Sequence, residues 1–286
     1  MTHARTIVSP APVTGRPLAA GPQRRVRTRH VPRRIEAALL PALTTVLLCG
    51  VWEVLARTVL PPEVRPISSA LAWLGQNSTN AELWTAIGHT LSHWAVALSL
   101  ALVAGTVLGV ATGANGLVNS LLSGVFEFVR PIPAVVYLPL MLLLLGATAE
   151  VAISLAALSA FWPILFQVFY GVKSIDPIAR DTARVFGLSR AQQLRYVAAP
   201  SILPFLATGV RIASTIALLA SIVMELLGGV SGLGAVLARD SYNGLYDAMY
   251  GILVIAGCLG VILNLVFARL ERRLLRWHPG YRPVSA

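Results

Sequence analysis

The chain has 286 residues, of which 56% are hydrophobic and only 12% charged, and its mean hydropathy is +0.72. Soluble domains carry about 25% charged residues, so a water-soluble fold of this length would lack the polar side chains to cover its surface. The formal charge of +11 does not point to nucleic acid, because the basic residues sit between long apolar runs rather than along an aromatic-interleaved stripe; that is the pattern of loops facing anionic lipid.

Residues 1–36 carry eight arginines and several prolines. They read as a disordered cytoplasmic tail ahead of a full-length span, not as a cleavable signal, whose apolar core is shorter and closer to the start. A first spanning helix is expected over Ala38–Ala56, with Glu53 near its far end. The more polar stretch 58–86, with Pro61, Pro62 and Pro66, reads as an external loop with a short surface helix. Residues 37–84 thus form a first span and its loop.

The 44 residues from Leu83 to Phe126 contain no Asp, Glu, Lys or Arg, too long a run for one span. A second helix is expected over Thr90–Ala111, with a turn at Asn115, Gly116 and Asn119. A third starts near Leu121, breaks at Arg130-Pro131-Ile132-Pro133 and resumes to Leu145, because proline cannot donate to the helix ladder and clashes with the preceding turn. Val151–Val172, Phe205–Leu227 and Ala248–Ala268 supply the fourth to sixth spans. The spanning core is residues 85–270, and 271–286 is a basic cytoplasmic tail.

Basic residues orient the spans. The N-terminal tail has eight, the segment 173–211 has six and the C-terminal end from Arg269 onward has five of the chain's 23. The segments 58–86 and 228–247 hold only Arg65 and Arg239. Both termini and the 173–211 loop are therefore expected in the cytoplasm, which requires an even number of spans; six fits.

That loop is built like two short helices. Asp176 before Pro177 is an N-cap followed by proline at the first helical position. Ile178, Thr182, Val185 and Phe186 then share one face, with Arg180, Asp181 and Arg184 elsewhere. Gly187 supplies a left-handed stop, and Ser189 with Gln192 has capping-box spacing for a second helix ending near Pro200. Pro204 is expected to open the next span. On physical grounds the hairpin serves equally as a partner's docking lever or as an interfacial pair lying on lipid.

The run Asp176-Pro177 through Asp181-Thr182-Ala183-Arg184 to Gly187, and on through Gln192 to Pro200 and Pro204, resembles the EAA-x-x-x-G loop of permease subunits in bacterial binding-protein-dependent ABC importers. Arg130-Pro131-Ile132-Pro133-Ala134 with Pro139, Leu140 and Gly146, and Phe161-Trp162-Pro163-Ile164, look like the third and fourth spans of the nitrate/sulfonate/taurine subgroup. Gly209-Val210-Arg211, Glu225 and Gly232-Leu233-Gly234 match the fifth span and the loop after it. The likeness covers roughly residues 85–278. Asp181 and Thr182 stand where the motif has Glu and Ala, and Ala199 where Leu is usual before Pro200. The charge and the glycine are kept.

The resemblance implies an all-α, six-span permease of the type I importer kind. Its coupling loop, 173–204, would dock on cytosolic ATPase subunits through Asp176, Pro177, Asp181, Thr182, Ala183, Arg184 and Gly187. It implies a homodimer, an extracytoplasmic solute-binding protein, a location in the bacterial plasma membrane, and a nitrate-, sulfonate- or taurine-like cargo. The sequence has no GxxxxGK[ST] run, so no cofactor is expected in this chain; ATP and Mg belong to the ATPase, and the chain itself is non-catalytic. The alternative is an ion-coupled secondary transporter, which calls for inverted repeats with paired broken helices.

Other features are weighed in the same way. Gly105, Gly109 and Gly113, continued by Ala97 and Ala101, form a small-residue row for close helix packing, within the subunit or across a dimer. Glu127, Arg130, Glu150 and Glu225 are costly charges in or beside spans. Arg130 and Glu225 are the candidates for the translocation path, a helix-fixing role being the alternative. Residues 228–234 read as a flexible turn near the binding-protein dock. His89 and His93 have i, i+4 spacing but no evident third ligand, so no metal site is assigned; they read as interfacial. Cys49 and Cys258 read as small buried hydrophobes, and Trp52, Trp94 and Trp277 as interfacial anchors.

Overall fold

The computed structural model describes residues 33–277, and among these every regular element is helical. The chain divides inside α1 (Arg33–Thr58) into two compact units, ending at Leu48 and beginning at Cys49. In the first, the leading turns of α1 form a helix in which the Thr44 hydroxyl donates to the Leu40 carbonyl at 2.9 Å. The expected tail 1–36 lies outside the described residues except for its last four, which are already helical. Residues 278–286 of the expected C-terminal tail also lie outside them.

The second unit opens with the last turns of α1, tied to the loop that follows. Trp52 Nε1 donates to the Arg65 carbonyl at 3.1 Å, and the Glu53 carboxylate accepts from the Ser68 amide and hydroxyl at 3.1 and 2.6 Å. Next come α2 (Ile67–Asn77), the short helix expected in the loop, and α3 (Ala81–Ala114). The second span therefore starts earlier than the sequence suggested. Asn80 caps α3 by accepting from the Glu82 amide at 2.9 Å, and Leu83 and Ala86 are already buried. At 34 residues, and 1.5 Å per residue, α3 runs about 50 Å, well beyond a hydrocarbon core.

α4 (Gly116–Val129) ends at the expected break, where Pro131 and Pro133 remove two donors. A 3₁₀ turn (Ala134–Tyr137) and α5 (Leu138–Leu145) then leave at 81° to α4. α6 (Ala149–Lys173) packs between α3 and the long α9 (Ala199–Gly228), with α7 (Pro177–Val185) and α8 (Arg190–Gln193) in the connection. α10 (Leu233–Tyr242) and α11 (Tyr246–Leu274) close the unit.

The core is the α3–α6–α9 layer, and it is built from small residues. Ala97, Ala101, Ala156, Ala160, Ala213 and Ala217 are buried, with Ile164 and Val168 between them. Gly105, Gly109 and Gly113 face α6. A Cβ at Gly109 would stand 2.7 Å from the Leu165 carbonyl oxygen, and one at Gly113 2.7 Å from Val172 Cβ. Close backbone approach of this kind is how helices gain packing where burial from water supplies little drive.

Four helices are long and apolar enough to cross a membrane, and the bent α4–α5 pair raises the number to as many as five among the described residues. The first expected span, Ala38–Ala56, falls within α1, part of whose side chains lie outside the described residues.

Three readings are corrected. Pro200 and Pro204 do not end one helix and open another. A π-turn over Leu194–Ala198 precedes Pro200, the Ala199 amide reaching back to the Leu194 carbonyl, and Pro204 sits inside α9. Cys49 and Cys258 are exposed rather than buried; in a lipid solvent an apolar surrounding sequence does not mean the protein interior. Trp94 is not a membrane-surface anchor: it points inward, donates to the Ser214 carbonyl at 3.0 Å and packs edge-on against Phe267.

Candidate functional site

The hairpin between α6 and α9 is held by local chemistry. Asp176 Oδ1 accepts from the Ile178 amide at 2.9 Å and Pro177 takes the first helical position. α7 ends in a Schellman motif. The Leu188 amide donates to Ala183 at 3.0 Å, the Gly187 amide donates to Arg184 at 2.9 Å, and Gly187 adopts φ +69°. Ser189 and Gln192 then make a reciprocal capping box, at 3.3 and 2.8 Å. Through the π-turn, α8 runs on into α9 as one apolar rod, Arg190–Gly228.

The two faces of α7 differ. Ala183 is buried and, with Ile175, Leu194, Val197, Arg180 and Arg190, lines a cleft of about 260 Å³. The other face is uncovered: Ile178 is 75% exposed, Val185 85% and Phe186 78%. Thr182 is also exposed, as are Asp181 and Arg184, which pair at 3.2 Å. Two large apolar side chains on a nine-residue helix and a third at its C-cap are a face awaiting cover.

Glu225, near the other end of α9, is fully buried. Its Oε2 accepts from the Thr90 hydroxyl at 2.7 Å and the Gly234 amide at 3.1 Å, and Oε1 meets His93 Nδ1 at 2.9 Å. Thr90 Oγ1 in turn accepts from the Leu233 amide at 2.9 Å. One carboxylate thus joins α3, α9 and the start of α10. The segment 228–234 is therefore not a flexible turn. Gly232 has φ +153° and no room for a side chain beside Glu225, and a Cβ at Gly234 would overlap the Ile222 carbonyl. His93, read as interfacial, is buried in this cage, while its neighbour His89 stacks on it from outside, ring centres 6.3 Å apart.

Beside the cage, an open cleft of about 490 Å³ is lined by Glu82, Thr85, His89, Ser231 and Arg239. Arg239 spans it, paired with Glu82 and, at 3.1 Å, with Asp240. These two carboxylates hold the guanidinium pKa above its usual value, Glu82 contributing most.

Arg130 is elsewhere. It lines an open cleft of about 420 Å³ between the α4 break, α6 and α9, with its guanidinium carbon 4.6 Å from the Phe166 ring centre. The two candidate path residues do not share a site: one is enclosed, the other faces open space. Nothing in the sequence pointed to Glu225's side-chain partners, which lie 135 and 132 residues away in α3. A readable signal near Arg130 was overlooked, the four-residue spacing of Trp162, Phe166 and Tyr170 along α6.

The sequence signature described as binding-protein-dependent transport system inner membrane component matches residues 101–277. The chain belongs to this family. It is 31% identical over 243 residues to the taurine transport system permease protein TauC of Escherichia coli (strain K12), covering 82% of this chain and 88% of that one. It is 28% identical over 240 residues to the nitrate import permease protein NrtB of Synechocystis sp., covering 81% and 87%. The fold is shared with the MetNI methionine ABC transporter in inward-facing conformations, at a TM-score of 0.61 and 22% identity, covering 68% of this chain and 97% of that chain. The protein is accordingly a multi-pass membrane permease subunit of an ATP-driven importer, a transport component.

Proposed function

We propose that this permease works as a homodimer whose 173–204 hairpins dock in grooves of two cytosolic ATPase subunits. A solute-binding protein on the opposite side delivers a small organic or inorganic anion, of the nitrate, sulfonate or taurine kind or related. The chain crosses the membrane six times with both termini inside; residues 1–36 and 271–286 are basic tails and 85–270 the permease core. ATP and Mg are bound by the partner, and no cofactor by this chain. The relatives named above support this class of cargo.

One observation carries the reading: the uncovered apolar face of α7, Ile178, Val185 and Phe186, on a helix whose caps are complete. A helix laid into a groove reads its partner through such anchors. The continuous helical join of α8 to α9 would carry the partner's motion into the core. Asp176, Pro177, Asp181, Thr182, Ala183, Arg184 and Gly187 form the coupling loop in this scheme. The exposed Asp181–Arg184 pair is available to the ATPase, while Asp176 and Gly187 shape the helix ends.

The test replaces Gly187 by leucine in the full complex. Nothing lies within 4 Å of a Cβ built there, so the chain alone bears only the left-handed strain of about 1–2 kcal/mol. The permease is expected to insert normally and to lose ATPase co-purification and ATP-driven uptake. Normal uptake by that variant would overturn the assignment of the loop.

A further inference from the structure

Arg130 stands at the break of a helix pair, in a sequence otherwise free of cations between Arg65 and Lys173. Among the described residues it enters no ion pair. Glu127, one turn earlier, lines the adjoining cleft with Thr112, Asn119 and Ser123. Phe166 lines both clefts. A guanidinium in apolar surroundings needs a counter-charge, and the ring face of Phe166 supplies only part of one.

The wall behind Arg130 is aromatic. Trp162, Phe166 and Tyr170 recur every fourth residue and so share one face of α6. Their ring centres are 6.3 and 6.4 Å apart, a continuous strip that starts with Phe126 edge-on to Trp162 at 5.8 Å. Ser159, Pro163, Gln167, Ile212 and Ile216 complete the cleft, whose volume of about 420 Å³ suits a solute of modest size.

We propose that this cleft binds an amphipathic organic monoanion, its oxyanion on Arg130 and its flat or apolar body along the Trp162–Phe166–Tyr170 strip. This rests on the permease reading and narrows its cargo class. One cation matches one negative charge. A bare inorganic anion would use the guanidinium and leave the strip uncovered. Arg presents paired donors to a planar or tetrahedral oxyanion, which a lysine does not.

The experiment uses the full chain with its ATPase subunits in phosphatidylcholine nanodiscs, titrated with benzenesulfonate, neutral benzenesulfonamide and nitrate. Benzenesulfonate is expected to bind at least about tenfold tighter than the sulfonamide, the scale of a charge-assisted pair, and tighter than nitrate. Arg130→Gln should erase the first difference and Arg130→Lys restore part of it. Tyr170→Ser should narrow the second difference and leave nitrate binding unchanged. Equal binding of the charged and neutral probes, or no saturable binding of benzenesulfonate, overturns the proposal. So does displacement of the probe by phosphatidylglycerol in a manner that depends on Arg130, which would make the cleft a lipid headgroup site. Loss of ATPase from the wild-type preparation would count against the permease reading; an intact complex without charge selectivity sinks this proposal alone.

Discussion

Gly232 lies so close to Glu225 that a side chain there would overlap the carboxylate. The glycine is needed both for its backbone, φ +153°, and for its missing Cβ. Gly229 makes the comparison clean, since it has φ +65° and nothing within 4 Å. Gly232→Ala is expected to cost about 1–3 kcal/mol of overpacking on top of the backbone strain. Gly229→Ala should cost only the strain, about 1–2 kcal/mol. Thermal unfolding of both variants in nanodiscs checks the order; equal losses would show that the cage yields easily.

Thr90 is the hinge pin of the same cage, donating to Glu225 and accepting from the Leu233 amide. Thr90→Val keeps the shape, strands the Leu233 amide and takes one of two donors from Glu225 Oε2, which still accepts from Gly234, at about 1–3 kcal/mol for the buried unsatisfied amide. Thr90→Ser should recover most of that. Amide exchange in residues 229–242 is expected to speed up in the valine variant and stay slow in the serine variant.

Gly109 sets the distance between α3 and α6. A Cβ there meets the Leu165 carbonyl oxygen at 2.7 Å and Val168 Cβ at 2.8 Å, neither of which is a flexible side-chain end. Gly109→Ala is expected to lose about 1–3 kcal/mol, whereas Gly88→Ala, in the same helix with nothing within 4 Å, should be neutral or slightly stabilising. Urea or heat unfolding of the two variants decides it.

Phe186 tests the docking face. Its side chain is 78% exposed, so Phe186→Ala should leave the stability of the chain alone unchanged to within about 0.5 kcal/mol. If Phe186 is an anchor in a partner groove, the affinity for the ATPase falls by at least about 2 kcal/mol, roughly thirtyfold. Asp181→Asn removes an exposed pair worth at most about 1 kcal/mol to the fold. Any larger change in its ATPase affinity belongs to the docked state. Surface plasmon resonance on nanodisc-held chain reads both.

Local chemistry was legible in the sequence and long-range chemistry was not. Asp176, Pro177, Gly187 and the Ser189–Gln192 pair act within a few residues of themselves, and each sits where its side chain or backbone preference put it. The Pro131–Pro133 break is of the same kind. Glu225 stood out as a costly charge, but Thr90 and His93 are ordinary residues until α3 and α9 are packed together. Trp94 and the two cysteines were misplaced because hydropathy cannot distinguish a face turned to lipid from one turned to another helix. Pro200 and Pro204 were misjudged because Pro200 falls in the first turn of α9, where a missing donor costs little, and α9 continues through Pro204.

The union of α8, the π-turn and α9 gives a single rod of 39 residues, Arg190–Gly228, which at 1.5 Å per residue is about 58 Å long. One end is the second arm of the hairpin, and Glu225 is three residues from the other. If the hairpin docks as proposed, a push on it at Arg190 reaches the helix that carries the Glu225 clasp without crossing a loop. Along the way α9 lies close on α6, with Gly171 under Phe205 and Gly209 under Gln167.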